Sequence, residues 1–137
     1  MIKIPLEVPR RGVPKGKYPV YLRKADEFLA EAKDAFLKER FNAAAACAAH
    51  SAINALDSLT IHRFGARHAG PRHLDATFML KYLDIPQKGE AEVKFEAAVN
   101  AKSAAEYEDR LVGKGEAEIA IKRAEQFLKW VKGNLPP

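Results

Sequence analysis

Apolar residues recur at three- and four-residue steps along most of the chain, in runs broken by Gly and Pro. Leu22, Ala25, Leu29, Ala32 and Phe36, with Lys, Asp and Glu between them, predict an amphipathic helix over about 20–37. The pair Lys38–Glu39 sits near a short break, and a second helix follows from about Phe41 to Phe64, stopped by Gly65. Gly70–Pro71 is the next break, and a short helix is predicted over 72–84, with Leu74, Phe78 and Met79 inward, ending at Pro86 and Gly89. A fourth helix is predicted over 90–111, with Val93, Ala97, Ala101, Ala104 and Leu111 on its inner stripe, closed by Gly113 and Gly115. The fifth, over 116–132, places Ala117, Ala120, Ala124, Phe127 and Val131 on one face.

No segment shows a sustained period of two with β-branched residues. The fold expected is all-α, an antiparallel up-down four-helix bundle with a short additional helix. The second helix opens with FNAAAACAAHSAINAL, uncharged and poor in bulk, which makes it the natural centre of the packing. Phe28, Phe36, Phe95, Phe127 and Trp130 must then supply bulk from the other helices. A seam that mixes small and large residues also suits a dimer interface.

Composition divides the chain in two. The length of 137 residues suits one domain. Of the net charge of +5, residues 1–19 hold +4, from Lys3, Arg10, Arg11, Lys15 and Lys17 against Glu7 alone. This Pro/Gly-broken basic arm precedes a nearly neutral helical domain over 20–133. Such an arm suits nucleic acid or an acidic partner, and equally a solubilising or packed terminal tail. The single Cys rules out an internal disulfide, and no apolar run is long enough for a membrane span. With no signal-peptide pattern at MIKIPLEVPRRG, a cytoplasmic protein without membrane association is expected.

Three constellations carry candidate chemistry. His50, Asn54 and Asp57 share one face of the second helix, with Cys47 a turn before His50. A Cys–His pair with an orienting Asp or Asn is a nucleophile pattern. The same spacing describes a polar strip within an Ala-rich seam, with Cys47 a small buried residue. The second group is His62, Arg63, Arg67, His68, Arg72 and His73 around the end of that helix. A His with a pKa near neutrality can act as acid or base in phosphodiester cleavage, and an Arg can clamp the phosphate. Read as architecture alone, this is a basic interhelical turn. The third group is Tyr107 and Arg110, where Tyr107 lines a cleft or wedges a core and Arg110 can pair with Glu106 at i,i+4. No metal-ligand spacing, Walker loop, dinucleotide fingerprint or nucleophile elbow is present, so no metal and no cofactor is expected.

The blocks YLRKADEFLAEAKDAFLKERFNAAAACAAHSAINALDSL at 21–59, GPRHLDATFML at 70–80, and AKSAAEYEDRLV with EIAIKRAEQFLKWV toward the end resemble, in order and spacing, the HEPN domains of prokaryotes. The resemblance covers roughly residues 20–132. It implies a four-helix core with a short extra helix, commonly dimeric, in a family often encoded beside minimal nucleotidyltransferases. Catalytic members are metal-independent endoribonucleases with an Arg followed four to six residues later by a His near the penultimate long helix, two copies forming one cleft. Others are partners or substrate-binding subunits of the nucleotidyltransferase, or toxin–antitoxin components. In the segment NAKSAAEYEDR, Lys102 stands where that Arg is expected and Glu106 where the His is expected. Arg63–His68 and Arg67–His73 have the right spacing in a different connection.

The resemblance therefore implies a non-catalytic, homodimeric adaptor acting with a nucleotidyltransferase-like protein, or binding a nucleotide or RNA. Its ligand-binding candidates are His50, Asn54, Asp57, Arg63, Arg67, Arg72, Tyr107 and Arg110. One alternative is a metal-independent, toxin-like ribonuclease using His68 or His73 as acid/base and Arg63 or Arg67 as phosphate clamp. The other is a purely structural interaction module.

Overall fold

The computed structural model describes Ile4, residues 8–70 and residues 73–137, and of His73 and Leu74 the backbone alone. Four long helices, α1 (Tyr18–Leu37), α2 (Phe41–Phe64), α4 (Lys88–Tyr107) and α5 (Lys114–Gly133), form a bundle. A short α3 (Thr77–Leu80) lies between α2 and α4 and is preceded by a 3-10 turn at His73–Ala76. The fold is all-α, a four-helix bundle with one extra short helix, with a single small ribbon that the sequence pattern does not announce. In that ribbon β1 (Arg10–Gly12) pairs antiparallel with β2 (Ala66–His68).

α2 is central because it has no sustained polar face. From Ser51 to Ile61 every residue except Asn54 is buried, and a helix apolar nearly all round belongs in the interior. Ala44, Ala45, Ala48, Ala49, Ala52 and Ala55 are all fully buried. With nothing beyond Cβ to displace them, the neighbouring helices come close enough for hydrogen bonds across the seam. Ser51 Oγ donates to the Ala25 carbonyl at 2.8 Å and Ser58 Oγ to the Tyr18 carbonyl at 3.0 Å. Both fix the register of α1 along α2. Bulk comes from the far side, where Phe95 of α4 and Phe127 of α5 meet with ring centroids 5.2 Å apart.

Gly65 ends α2 in the left-handed conformation, φ 67°, with its N–H on the Ile61 carbonyl, as its position in the sequence predicts. Pro19 does not delay α1: it occupies the first turn, where a proline removes no helical hydrogen bond. The α5 stripe of Ala117, Ala120, Ala124, Phe127 and Val131 is buried throughout.

The α4 stripe is different from the expected one. Ala104 is buried as expected, but Val93 and Leu111 are exposed, and the other inward residues are Ala91, Phe95, Ala98, Val99 and Lys102. The alanines of this helix carry almost no phase information, so the one bulky aromatic, Phe95, sets the rotation. Leu111 lies beyond the helix altogether, because Glu108 is already extended. In the third segment Met79 is buried while Phe78 is largely exposed, and the helix stops at Leu80. Leu74's side chain lies outside the described residues.

The close seam makes a direct prediction. Ala48→Leu or Ala52→Leu inserts bulk where none fits and lowers stability by roughly 1–3 kcal/mol or more. Ala43→Leu, on the exposed side of the same helix, changes it by less than about 0.5 kcal/mol. Urea denaturation of the three variants measures the contrast, and equal effects contradict the packing described.

Candidate functional site

Three sides of α2 are covered by other elements. On the remaining side Ala46, Cys47, His50 and Asn54 are only partly buried, spaced by three and four residues so that they share one face. α1 and α4 flank this strip. From α1, Phe28 packs its ring against the His50 imidazole with centroids 5.3 Å apart. From α4, Lys102 and Glu106 bring their charges to it.

Lys102 is the unusual member, a lysine only 8% exposed near the end of a helix. A buried charge needs a partner, and the Lys102 Nζ finds it one turn on, donating to Glu106 Oε2 at 2.7 Å. It also lies 5.7 Å from the centroid of the Tyr107 ring. The hydrogen bond from Lys102 holds the Glu106 carboxyl below the usual range, so it stays ionised at neutral pH. Burial, reinforced by Lys102 and opposed by Glu106, pulls the His50 pKa down and favours the neutral imidazole. Burial, then the Glu31 carboxylate, pushes the Cys47 thiol up, so Cys47 is a poor nucleophile. Tyr107 is 77% exposed and stands beside the pair.

The remaining expected residues divide between places. Asn54 Nδ2 donates to the His50 carbonyl on its own helix at 2.8 Å. Asp57 is buried two turns further on, and its charged neighbours are Arg67 and Lys24 rather than those of His50. The face read as one His50–Asn54–Asp57 set thus holds two separate electrostatic environments. Arg110 makes a bidentate pair with Glu116, at 2.7 and 2.9 Å. Glu116 also accepts from the Gly113 N–H at 3.1 Å and so caps α5. The Glu106–Arg110 pairing expected from spacing is replaced by Lys102–Glu106 and Arg110–Glu116.

His68 is buried, and a Cβ at Gly70 would stand 2.9 Å from its Nε2. Gly70 therefore closes over this imidazole, whose pKa burial lowers. Arg67 Nη1 donates to the His68 carbonyl at 3.1 Å, and Arg63 Nη2 reaches the Asn134 carbonyl at 3.3 Å. Arg72 and the His73 side chain lie outside the described residues. Among the described residues no cluster of His, Cys, Asp and Glu is arranged to hold a metal ion, and no helix is long and apolar enough to cross a membrane.

Periodicity alone misses Lys102 and Glu106 as companions of His50. Their signals were the i,i+4 spacing of opposite charges and their place in the family-like segment.

The HEPN domain family profile matches residues 18–134. Among solved structures, the fold is similar to that of TT1696 from Thermus thermophilus, with a TM-score of 0.70 and 22% identity over 87% of this chain and 98% of that one. A comparison with curated proteins gives no match.

Asp57 provides a test of the electrostatics. Burial raises its carboxyl from 3.8 to about 7, against the opposing pull of Arg67 and Lys24. Between those values the folded state holds a proton that the unfolded chain releases. The contribution of Asp57 to stability therefore falls as pH rises from about 4 to about 7, by up to ~1.4 kcal/mol per pH unit, and is flat above. Asp57→Asn gains stability over the wild type across that window and keeps the gain at higher pH. Urea midpoints of both proteins at acid and alkaline pH measure it, and a difference that does not widen with pH contradicts the assignment.

Proposed function

The chain belongs to the HEPN domain family, and from that premise we propose that it is an RNA-binding module whose ligand lies across the uncovered side of α2, between α1 and α4. The observation that carries this reading is the electrostatic reach of the α4 pair Lys102–Glu106, with Tyr107 against it, to His50 on α2. A partly buried ammonium beside a neutral imidazole attracts a phosphate, which competes with Glu106 for the Lys102 Nζ. The exposed Tyr107 ring offers a stacking platform for an unpaired base. Asn54 keeps its Oδ1 for a base or ribose donor. In this reading the module works as a homodimer beside a nucleotidyltransferase-like partner, a role that rests on the family resemblance.

Base stacking on an aromatic side chain contributes about 1–3 kcal/mol. Tyr107→Ala, which removes an exposed ring, therefore weakens binding of a single-stranded RNA by roughly tenfold and leaves thermal stability unchanged. Fluorescence anisotropy with a labelled oligoribonucleotide measures it. An intact fold with no RNA binding contradicts the proposal and leaves a structural interaction role.

A second reading, metal-independent endoribonuclease, is favoured by one feature. His50 is a partly accessible imidazole kept neutral near pH 7, beside an ammonium. In this reading His50, rather than the enclosed His68, takes the proton of a ribose 2′-hydroxyl. That oxygen attacks the adjacent phosphorus, the 5′-oxygen leaves and takes up a proton from water, and a 2′,3′-cyclic phosphate forms. Lys102 offsets the charge that builds on the phosphoryl oxygens. RNA cleavage in chelator, lost on His50→Ala, is the expected result. Binding without cleavage leaves the first reading alone.

A further inference from the structure

Five cations of the helical body meet a carboxylate. Arg23 meets Glu27, Lys33 meets Glu125, Lys102 meets Glu106, Arg110 meets Glu116 and Lys132 meets Asp26. At the end of the molecule around β1 and β2, cations stand beside one another. Arg11 stands directly opposite Arg67 across the ribbon, and directly opposed side chains of an antiparallel pair lie on the same side, where like charges repel. The stem of Lys15 lies over Gly65, where an added Cβ would meet its Cγ at 3.6 Å and its Cε at 3.8 Å. After burial, the charges of Arg63 and then Lys15 lower the basicity of His62, which puts both cations beside that ring.

Arg11, Lys15, Lys17 and Arg63 are exposed, and among the described residues none of them makes a salt bridge. The Arg67 Nε is buried without a hydrogen-bond partner among the described residues. Arg67 acts by charge on Asp57, whose carboxyl is buried. None of the exposed large apolar side chains falls within residues 8–18 or 62–69. A protein interface needs an apolar or aromatic anchor at its centre, whereas a phosphate backbone needs only charge and donors.

We propose that the ribbon end, formed by Arg11, Lys15, Lys17, Arg63 and Arg67, is a second RNA-contacting surface that holds backbone phosphates without reading sequence. It rests on the RNA-binding reading above and extends it to a separate place. His50 and Arg63 are thirteen residues apart on α2, a separation of about 20 Å along the helix axis. Residues 8–17 of the N-terminal arm are thereby a structural part of the surface, because β1 fixes them against the end of α2.

The triple variant Arg11→Gln, Lys15→Gln, Arg63→Gln removes three exposed charges and the Arg63 hydrogen bond to Asn134, and a circular-dichroism melt checks its fold. Anisotropy with a labelled single-stranded 20-nucleotide RNA, repeated over a salt series, is the test. Each phosphate contact contributes about 0.7 to the slope of log affinity against log salt, so the variant loses about 2 from that slope and at least tenfold in affinity near 0.1 M salt. Tyr107→Ala lowers affinity without changing the slope. If the triple variant keeps wild-type affinity and slope while Tyr107→Ala weakens binding, this inference is overturned and the first site stands. The reverse pattern upholds the ribbon surface and removes the first site. Absence of wild-type binding overturns both. Displacement of the RNA by an equally charged poly-glutamate peptide at matching concentration assigns the surface to an acidic protein partner and overturns the inference.

Discussion

Everything in this molecule depends on how closely backbones approach one face of α2. Its buried alanines remove the side chains that would hold α1, α4 and α5 at arm's length, and small residues gain by contact what they lack in bulk. Ser51 and Ser58 turn that proximity into hydrogen bonds to carbonyls of α1. Without that spacing neither bond closes, and a buried hydroxyl left alone costs more than the bond contributes. The same constraint leaves one side of α2 for polar residues. A helix packed on three sides cannot hide His50 and Asn54, and they surface in the gap between α1 and α4.

That gap explains the placement of Lys102. A lysine 8% exposed is tolerated only because Glu106 lies one turn on, within hydrogen-bond reach. The pair in turn sets the charge state of His50, with Lys102 disfavouring the imidazolium and Glu106 favouring it. Packing, pairing and protonation are therefore linked in sequence. The alanine seam fixes where α4 runs, α4 fixes where Lys102 must be neutralised, and the resulting field acts on the imidazole. The family membership adds a domain type to this local chemistry, and the proposed RNA ligand rests on the groups around His50.

Much of this was legible in the chain. The alanine-rich run identified the central helix, Gly65 its end, and the α5 stripe its buried face, each by a residue whose physics allows little else. The α4 stripe was not legible, because Ala97, Ala101 and Ala104 fit either rotation and only contact with Phe127 fixes Phe95 inward. The ribbon escaped notice because three residues with two adjacent arginines carry no strand signature; their pairing is tertiary. His68 looked available in sequence and is enclosed, since nothing in the letters says that Gly70 folds over it. His50 was visible as a candidate, whereas its charged companions come from another helix, which spacing along one helix cannot reveal.

The central claim is that the polar side of α2 around His50 receives RNA. Proton–carbon NMR of the histidine imidazoles, titrated with a short single-stranded RNA, tests it most directly because the chain has only four histidines. The account predicts that the His50 ring signals shift in step with binding while those of the enclosed His68 stay in place. Saturating RNA that leaves His50 unmoved would contradict it.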